Sequence, residues 1–132
     1  MTMLCDTNII SELARPRPNL GVTEWAGTVS SIALSVVSIE EIFYGLAWKP
    51  HPKIRARFEE FLERHCSVLP VTAEVAKRCG HLRGELQAAG KTRTQADMLI
   101  AATAQIHQLT LVTRNVNDFT DCHISLLNPF RE

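Results

Sequence analysis

The chain has 132 residues, 45% of them hydrophobic, with 14 basic and 14 acidic side chains and no formal net charge. That length and apolar fraction fit one domain over residues 1–132 with a packed core, and they exclude an intrinsically disordered chain. Charge neutrality argues against a protein that coats nucleic acid non-specifically, because such binding rests on neutralising many phosphates. It leaves room for a local basic rim. No apolar run approaches the roughly 20 residues of a membrane span. The start, Met1-Thr2-Met3-Leu4-Cys5-Asp6, lacks a basic stretch followed by a long apolar core, so no signal peptide is expected and the cytoplasm is the expected compartment. The four cysteines (Cys5, Cys66, Cys79 and Cys122) are scattered. They lack the paired spacing of a zinc site and are expected as small buried residues.

In chain order, Met3-Leu4-Cys5 reads as a short strand stopped by Asp6. A short helix follows over residues 7–15, ended by Pro16-Arg17-Pro18. Asn19 caps a helix over residues 20–29. Residues 32–37 are apolar and partly β-branched and read as a second strand. Helical spacing resumes at Ile39 and ends at Pro50 and Pro52. Residues 53–65 carry an apolar stripe of Ile54, Phe58, Phe61 and Leu62. Ser67-Val68-Leu69 is a candidate third strand. Thr72 caps a long helix to about Ala89, closed by Gly90. Thr94 opens another to about Gln108. Residues 109–113 form the clearest strand, and residues 124–127 the last. Strands that alternate with helices, several of them apolar on both faces, predict an α/β domain with a mostly parallel sheet covered by helices.

The carboxylates fall at informative places. Asp6 follows the first strand directly, Glu41 lies early in the helix after the second, and Asp118 lies just beyond the strand over 109–113. Asp97 is in the first turn of the helix before that strand. Parallel α/β folds bind ligands at the carboxyl ends of their strands. Each acid also has a plainer explanation. Ser38-Ile39-Glu40-Glu41 and Thr94-Gln95-Ala96-Asp97 fit capping boxes, and Asp6 fits a helix cap. Asp6 and Asp97 resist it better, because each stands at the edge of an apolar segment. Clustered carboxylates repel unless a cation shares them. Hard cations such as Mg²⁺ or Mn²⁺ prefer such oxygen ligands and would supply a hydrolytic centre without a nucleophilic side chain.

Four blocks resemble those of PIN-domain proteins, and they run in family order from residue 3 to residue 119. They are Met3-Leu4-Cys5-Asp6-Thr7-Asn8-Ile9-Ile10-Ser11-Glu12, Ser35-Val36-Val37-Ser38-Ile39-Glu40-Glu41-Ile42 with Gly45, Ala96-Asp97-Met98-Leu99-Ile100-Ala101-Ala102-Thr103-Ala104, and Leu111-Val112-Thr113-Arg114-Asn115-Val116-Asn117-Asp118-Phe119. Chain length and the closing Asn128-Pro129-Phe130 suit the VapC toxin branch and its FitB-like members. The resemblance implies a three-layer PIN-like fold with about five strands and a divalent metal. It further implies RNA cleavage, a homodimer and inhibition by a small cognate VapB-like antitoxin. A structured RNA such as a tRNA is compatible with it.

On the same resemblance, Asp6, Glu41 and Asp97 take the family's first three acids, with Asp6 and Asp97 as direct Mg²⁺ ligands. Glu41 is preferred to Glu40 because it precedes an apolar residue and keeps the spacing to Gly45. Many relatives have Asp where Asn115 stands here, so either Asp118 supplies the fourth carboxylate or Asn115 contributes a neutral oxygen. Asn8 and Thr113 are supporting residues for waters or phosphates; a helix-start hydrogen bond for Asn8 and strand pairing for Thr113 are their plainer roles. Lys91, Arg93 and Arg114 are candidates for RNA phosphates, or else solvated loop charge. Arg15 and Arg17 are weaker candidates. Trp25, Phe43, Tyr44 and Trp48 are expected in the core or at an interface. Two other functions remain open. A phosphatase-like hydrolase would use Asp6 as nucleophile, though Asn8 stands where its second Asp belongs. A non-catalytic PIN-like or response-regulator-like module would use the acids only to bind.

Overall fold

The computed structural model describes residues 2–132, along which strands and helices alternate. The order is β1 (Thr2–Cys5), α1 (Thr7–Leu13), α2 (Leu20–Ala26), β2 (Ser31–Ser35), α3 (Val36–Trp48), α4 (Pro52–Arg64), β3 (Ser67–Leu69), α5 (Ala73–Ala88), α6 (Gln95–Ile106), β4 (Leu111–Val112) and β5 (Leu126–Leu127), with a 3₁₀ turn at Val116–Asp118. The five strands form one sheet in the order β3-β2-β1-β4-β5. Every pairing is parallel, as the doubly apolar strands predict. The chain builds outward from β1 to β2 and β3, then crosses to β4 and β5 on the other side. The strand order therefore reverses between β1 and β4, where a doubly wound sheet opens a crevice at its carboxyl edge.

Alternation along the strands divides the interior into two layers. Leu4, Ala33 and Leu111 face α5 and α6, packing with Val75, Cys79, Leu82, Leu86, Met98 and Phe119. Cys5, Leu34 and Val112 face the other way, onto Ile9 and Ile10 of α1, Val22 and Trp25 of α2, Ile42 of α3 and Phe58 of α4. Helix α6 is apolar on nearly all sides because it packs on both α5 and the sheet, and Met98, Ile100, Ala101, Ala102 and Ala104 are fully buried. All four cysteines are free, and Cys5, Cys79 and Cys122 are buried as small apolar residues.

The main departure from the predicted elements is at the second strand. Residues 36 and 37, read as strand, form the first turn of α3. Ser35 closes β2 and caps that helix, its Oγ accepting the Val37 N–H at 3.1 Å. A side-chain cap supplies a partner for an orphan helical N–H and outweighs the β preference of two valines. Ser38 is therefore inside the helix, and Glu41 lies in its second turn rather than at a capping-box position. The strand expected over 109–113 is shorter, because the Leu109 N–H still bonds Ala104 O at the end of α6 (2.9 Å). Thr72, Thr94 and Asn19 cap α5, α6 and α2 as expected, and Gly90 takes φ +79° just after α5.

Phe119 is the largest fully buried side chain, and it closes the α5–α6 layer from a loop. Phe119→Ala is expected to destabilise the fold by about 3–5 kcal/mol, read as a lower midpoint of urea unfolding.

Candidate active site

Asp6 is placed at the reversal of strand order by its backbone. Its N–H donates to Val112 O of β4 at 2.8 Å. Its side chain then does two things at once. Oδ1 accepts the Thr7 N–H at 2.8 Å and caps α1, while Oδ2 accepts from Thr113 Oγ1 at 2.8 Å and from Asn8 Nδ2 at 3.2 Å. The carboxylate is only 6% exposed. Burial raises its pKa and the charge of Glu41 raises it further, while the bonds from Thr113, Thr7 and Asn8 pull it down. Helix cap and cleft acid are thus the same group.

Glu41 is brought in from α3 by Thr7, whose Oγ1 donates to Glu41 Oε1 at 2.6 Å and lies 2.8 Å from Ser38 Oγ. Ser38 is buried and Glu40 is exposed. A helical turn thus points Glu41 inward and its neighbour outward. Asp97 comes from the first turn of α6, its N–H donating to Thr94 Oγ1 at 3.1 Å. Burial raises its pKa, and so do the charges of Asp6, Asp118 and Glu41, while hydrogen bonding with Thr94 opposes them.

Asp6, Glu41 and Asp97 line one open cleft of about 460 Å³ with Thr7, Asn8, Ser11, Glu12, Arg15, Arg114, Asn115 and Phe130. Of the two residues weighed for the fourth position, Asn115 lines this cleft and donates its N–H to Thr113 Oγ1 at 3.0 Å. Asp118 is exposed on the 3₁₀ turn outside the cleft wall, though its charge reaches Asp97. Arg114 lines the cleft. Lys91 and Arg93 do not: Lys91 pairs with Asp121, and Arg93 Nη1 donates to the carbonyls of Asp118 (2.8 Å) and Thr120 (3.0 Å). These two cations brace the loop after β4.

Thr7, Glu12 and Phe130 were not singled out from the sequence. The partners of Thr7 lie 31 and 34 residues away, beyond any local periodicity. Glu12 is 8% exposed. It accepts the Asn19 N–H at 2.8 Å and pairs with Arg15 at 3.2 Å. A buried acid eight positions before a helix start carries no local signal. Phe130 had only its place in the closing Asn-Pro-Phe.

The donor set is hard oxygen throughout, which suits Mg²⁺ or Mn²⁺ rather than a soft metal. Among the described residues no three His, Cys, Asp or Glu side chains converge tightly on one point. With such a donor set, Mg²⁺ or Mn²⁺ would keep several waters and take one or two carboxylates directly. Burial is the main cause of the raised Asp6 and Asp97 pKa values, and the charges of neighbouring acids add to it; a bound cation offsets that added charge.

The model of the PIN domain family matches residues 3–121. Over 136 residues the chain is 31% identical to "VapC ribonuclease Y4jK" of Sinorhizobium fredii, covering 97% of each. It is 32% identical to "Toxin FitB" of Neisseria gonorrhoeae over 138 residues, covering 98% of this chain and 99% of that one. Among solved structures it superposes on FitAcB from Neisseria gonorrhoeae with a TM-score of 0.83 and 33% identity, covering 98% of both chains. The chain belongs to the PIN domain family, in the branch that holds the VapC and FitB proteins.

Asp97 has a raised pKa in the folded protein, so the native state holds its proton more tightly than the unfolded chain does. The ionised carboxylate therefore opposes folding, and the penalty grows as pH rises through the raised pKa. In metal-free protein, Asp97→Asn is expected to raise Tm at pH 7 by about 1–3 °C, a figure kept small by the group's partial exposure. The gap closes as pH falls below the carboxylate range, which thermal unfolding at several pH values measures.

Proposed function

We propose that this protein is a metal-dependent endoribonuclease, the toxin of a toxin–antitoxin pair, acting on RNA in the cytoplasm as a single PIN domain. The observation that carries this reading is the meeting of Asp6, Glu41 and Asp97 in one open cleft beside Arg114, where the strand order reverses. A phosphodiester needs its negative charge offset and a water aimed at phosphorus. Arg114 supplies a cation on the cleft wall. Asp6 and Asp97 are the groups to hold Mg²⁺ or Mn²⁺, and Glu41 is oriented by Thr7 to accept a proton from a water. When bound, the cation supplies charge that stabilises the developing phosphoryl anion and makes a water nucleophilic at neutral pH. Thr113 and Asn8 hold Asp6 in its rotamer, and Asn115 adds a neutral amide to the wall. A structured RNA such as a tRNA is the substrate class we favour, because an open cleft admits a single-stranded loop.

A structural relative solved as a toxin–antitoxin complex from Klebsiella pneumoniae, 27% identical with a TM-score of 0.77, supports a cognate antitoxin as partner. Support for a homodimer comes from Tyr44 and Trp48, a helical turn apart on α3 and 67% and 72% exposed; such bare aromatic area favours an interface.

Purified protein supplied with Mg²⁺ or Mn²⁺ is expected to cut a few species in total cellular RNA. EDTA should stop it, and Asp97→Asn should lower the rate at least about 100-fold while the fold survives. A folded Asp97→Asn protein that still cuts would overturn the mechanism, and intact RNA under both metals would favour a binding-only domain. Light scattering on the eluting protein should give a dimer mass, with Trp48→Ser shifting it toward the monomer.

A further inference from the structure

The last five residues are fastened across the start of α2 by contacts that span more than a hundred residues of sequence. Asn19, the cap of α2, also clasps the backbone of Arg131: its Oδ1 accepts the Arg131 N–H at 3.0 Å and its Nδ2 donates to Arg131 O at 2.9 Å. Arg131 pairs through its side chain with Glu24 of the same helix. Gly21 lets the strap lie flat. A Cβ there would stand 2.3 Å from Pro129 O and 2.8 Å from Arg131 N, both of them backbone atoms that cannot swing aside.

So held, the strap reaches the cleft. Phe130 lines it together with the three acids. The Arg114 guanidinium sits over the Phe130 ring, 4.5 Å from its centroid, and Arg114 Nη2 is 3.3 Å from Glu132 Oε2. The Arg114 main chain is fixed independently, its N–H donating to Asn8 Oδ1 at 3.1 Å. Without these contacts a long cation beside Asp6 and Asp97 would fold onto the carboxylates. An aromatic face holds a guanidinium in plane and leaves its N–H edge free for a phosphate. The Glu132 pair is half exposed on both sides, the kind of ion pair that is weak and readily exchanged.

We propose that the C-terminal strap, residues 128–132, is a working wall of the cleft. In it Phe130 is a positioning residue that presents Arg114 to an RNA phosphate, and Glu132 is a placeholder that the phosphate displaces. This rests on the ribonuclease reading, so its test reads binding rather than cleavage.

The test is fluorescence anisotropy of labelled bulk tRNA with the full chain carrying Asp97→Asn, without metal. Arg114→Gln is expected to weaken binding about 5–10-fold and to reduce the slope of log Kd against log salt by about one. Phe130→Leu is expected to produce most of that loss alone and little more in the Arg114→Gln background, while Phe130→Tyr restores binding. Glu132→Gln is expected to tighten binding about 2-fold. Gly21→Ala, which alters no residue of the cleft, is expected to resemble Phe130→Leu by lifting the strap. A thermal scan of each variant separates these effects from unfolding. Additive losses from Phe130→Leu and Arg114→Gln, or binding indifferent to both, would overturn the strap proposal alone. A parent protein that binds no tRNA would overturn it together with the RNA reading.

Discussion

Asp6 joins two parallel strands and a helix through one residue. Its N–H is on Val112 of β4, its Oδ1 on the first N–H of α1 and its Oδ2 on Thr113. A carboxylate this deeply buried is tolerated only when its oxygens are hydrogen-bonded, and the three donors come from segments that meet only where the strand order reverses. Shifting β4 by one residue against β1 would turn Thr113 away and bring an apolar neighbour toward the acid, because side chains alternate along a strand. The register of the sheet and the position of the acid are therefore the same fact.

The remaining acids add repulsion rather than relief. Glu41 and Asp97 enter from different helices; beyond the effect of burial, the charge of Glu41 raises the pKa of Asp6, and the charges of Asp6, Asp118 and Glu41 raise that of Asp97. The two arginines on the cleft wall do not neutralise them, because each already has a partner: Arg15 lies on Glu12, and Arg114 on Phe130 and Glu132. This arrangement keeps the cleft electrostatically unsatisfied, which costs stability and suits a site that gains from an incoming cation. Glu12 serves both ends of the device. It holds Arg15 and also accepts the backbone N–H of Asn19, whose side chain carries the C-terminal strap.

Legibility in the sequence followed the range of the interaction. Helix caps at Asn19, Thr72 and Thr94, the Gly90 stop and the apolar runs act over a few residues, and the pattern displays them directly. Ser35 was missed for a local reason: two β-branched residues after it mimic a strand, and Ser38 offered a rival cap. The acids were legible as types in order, and four spaced blocks tied them to a known family. Of the adjacent pair on α3, the helix turns Glu40 to solvent and Glu41 toward Thr7. Lys91 and Arg93, adjacent in sequence to Asp97, point instead into the loop after β4, since nearness along the chain does not set direction across a helix cap.

The sequence by itself determined the alternation of strands and helices, a sheet buried on both faces and the set of acids poised at the ends of its elements. These follow from periodicity, capping and hydrophobic burial, all of them local or compositional. Only the tertiary structure decided which groups meet. Thr7 selects Glu41 across 34 residues, Thr113 reaches Asp6 across 107, Asn115 rather than Asp118 lines the cleft, and Phe130 joins its lining from the far end of the chain. Contacts at such separations are set by strand order and register, and those arise from packing the whole chain at once.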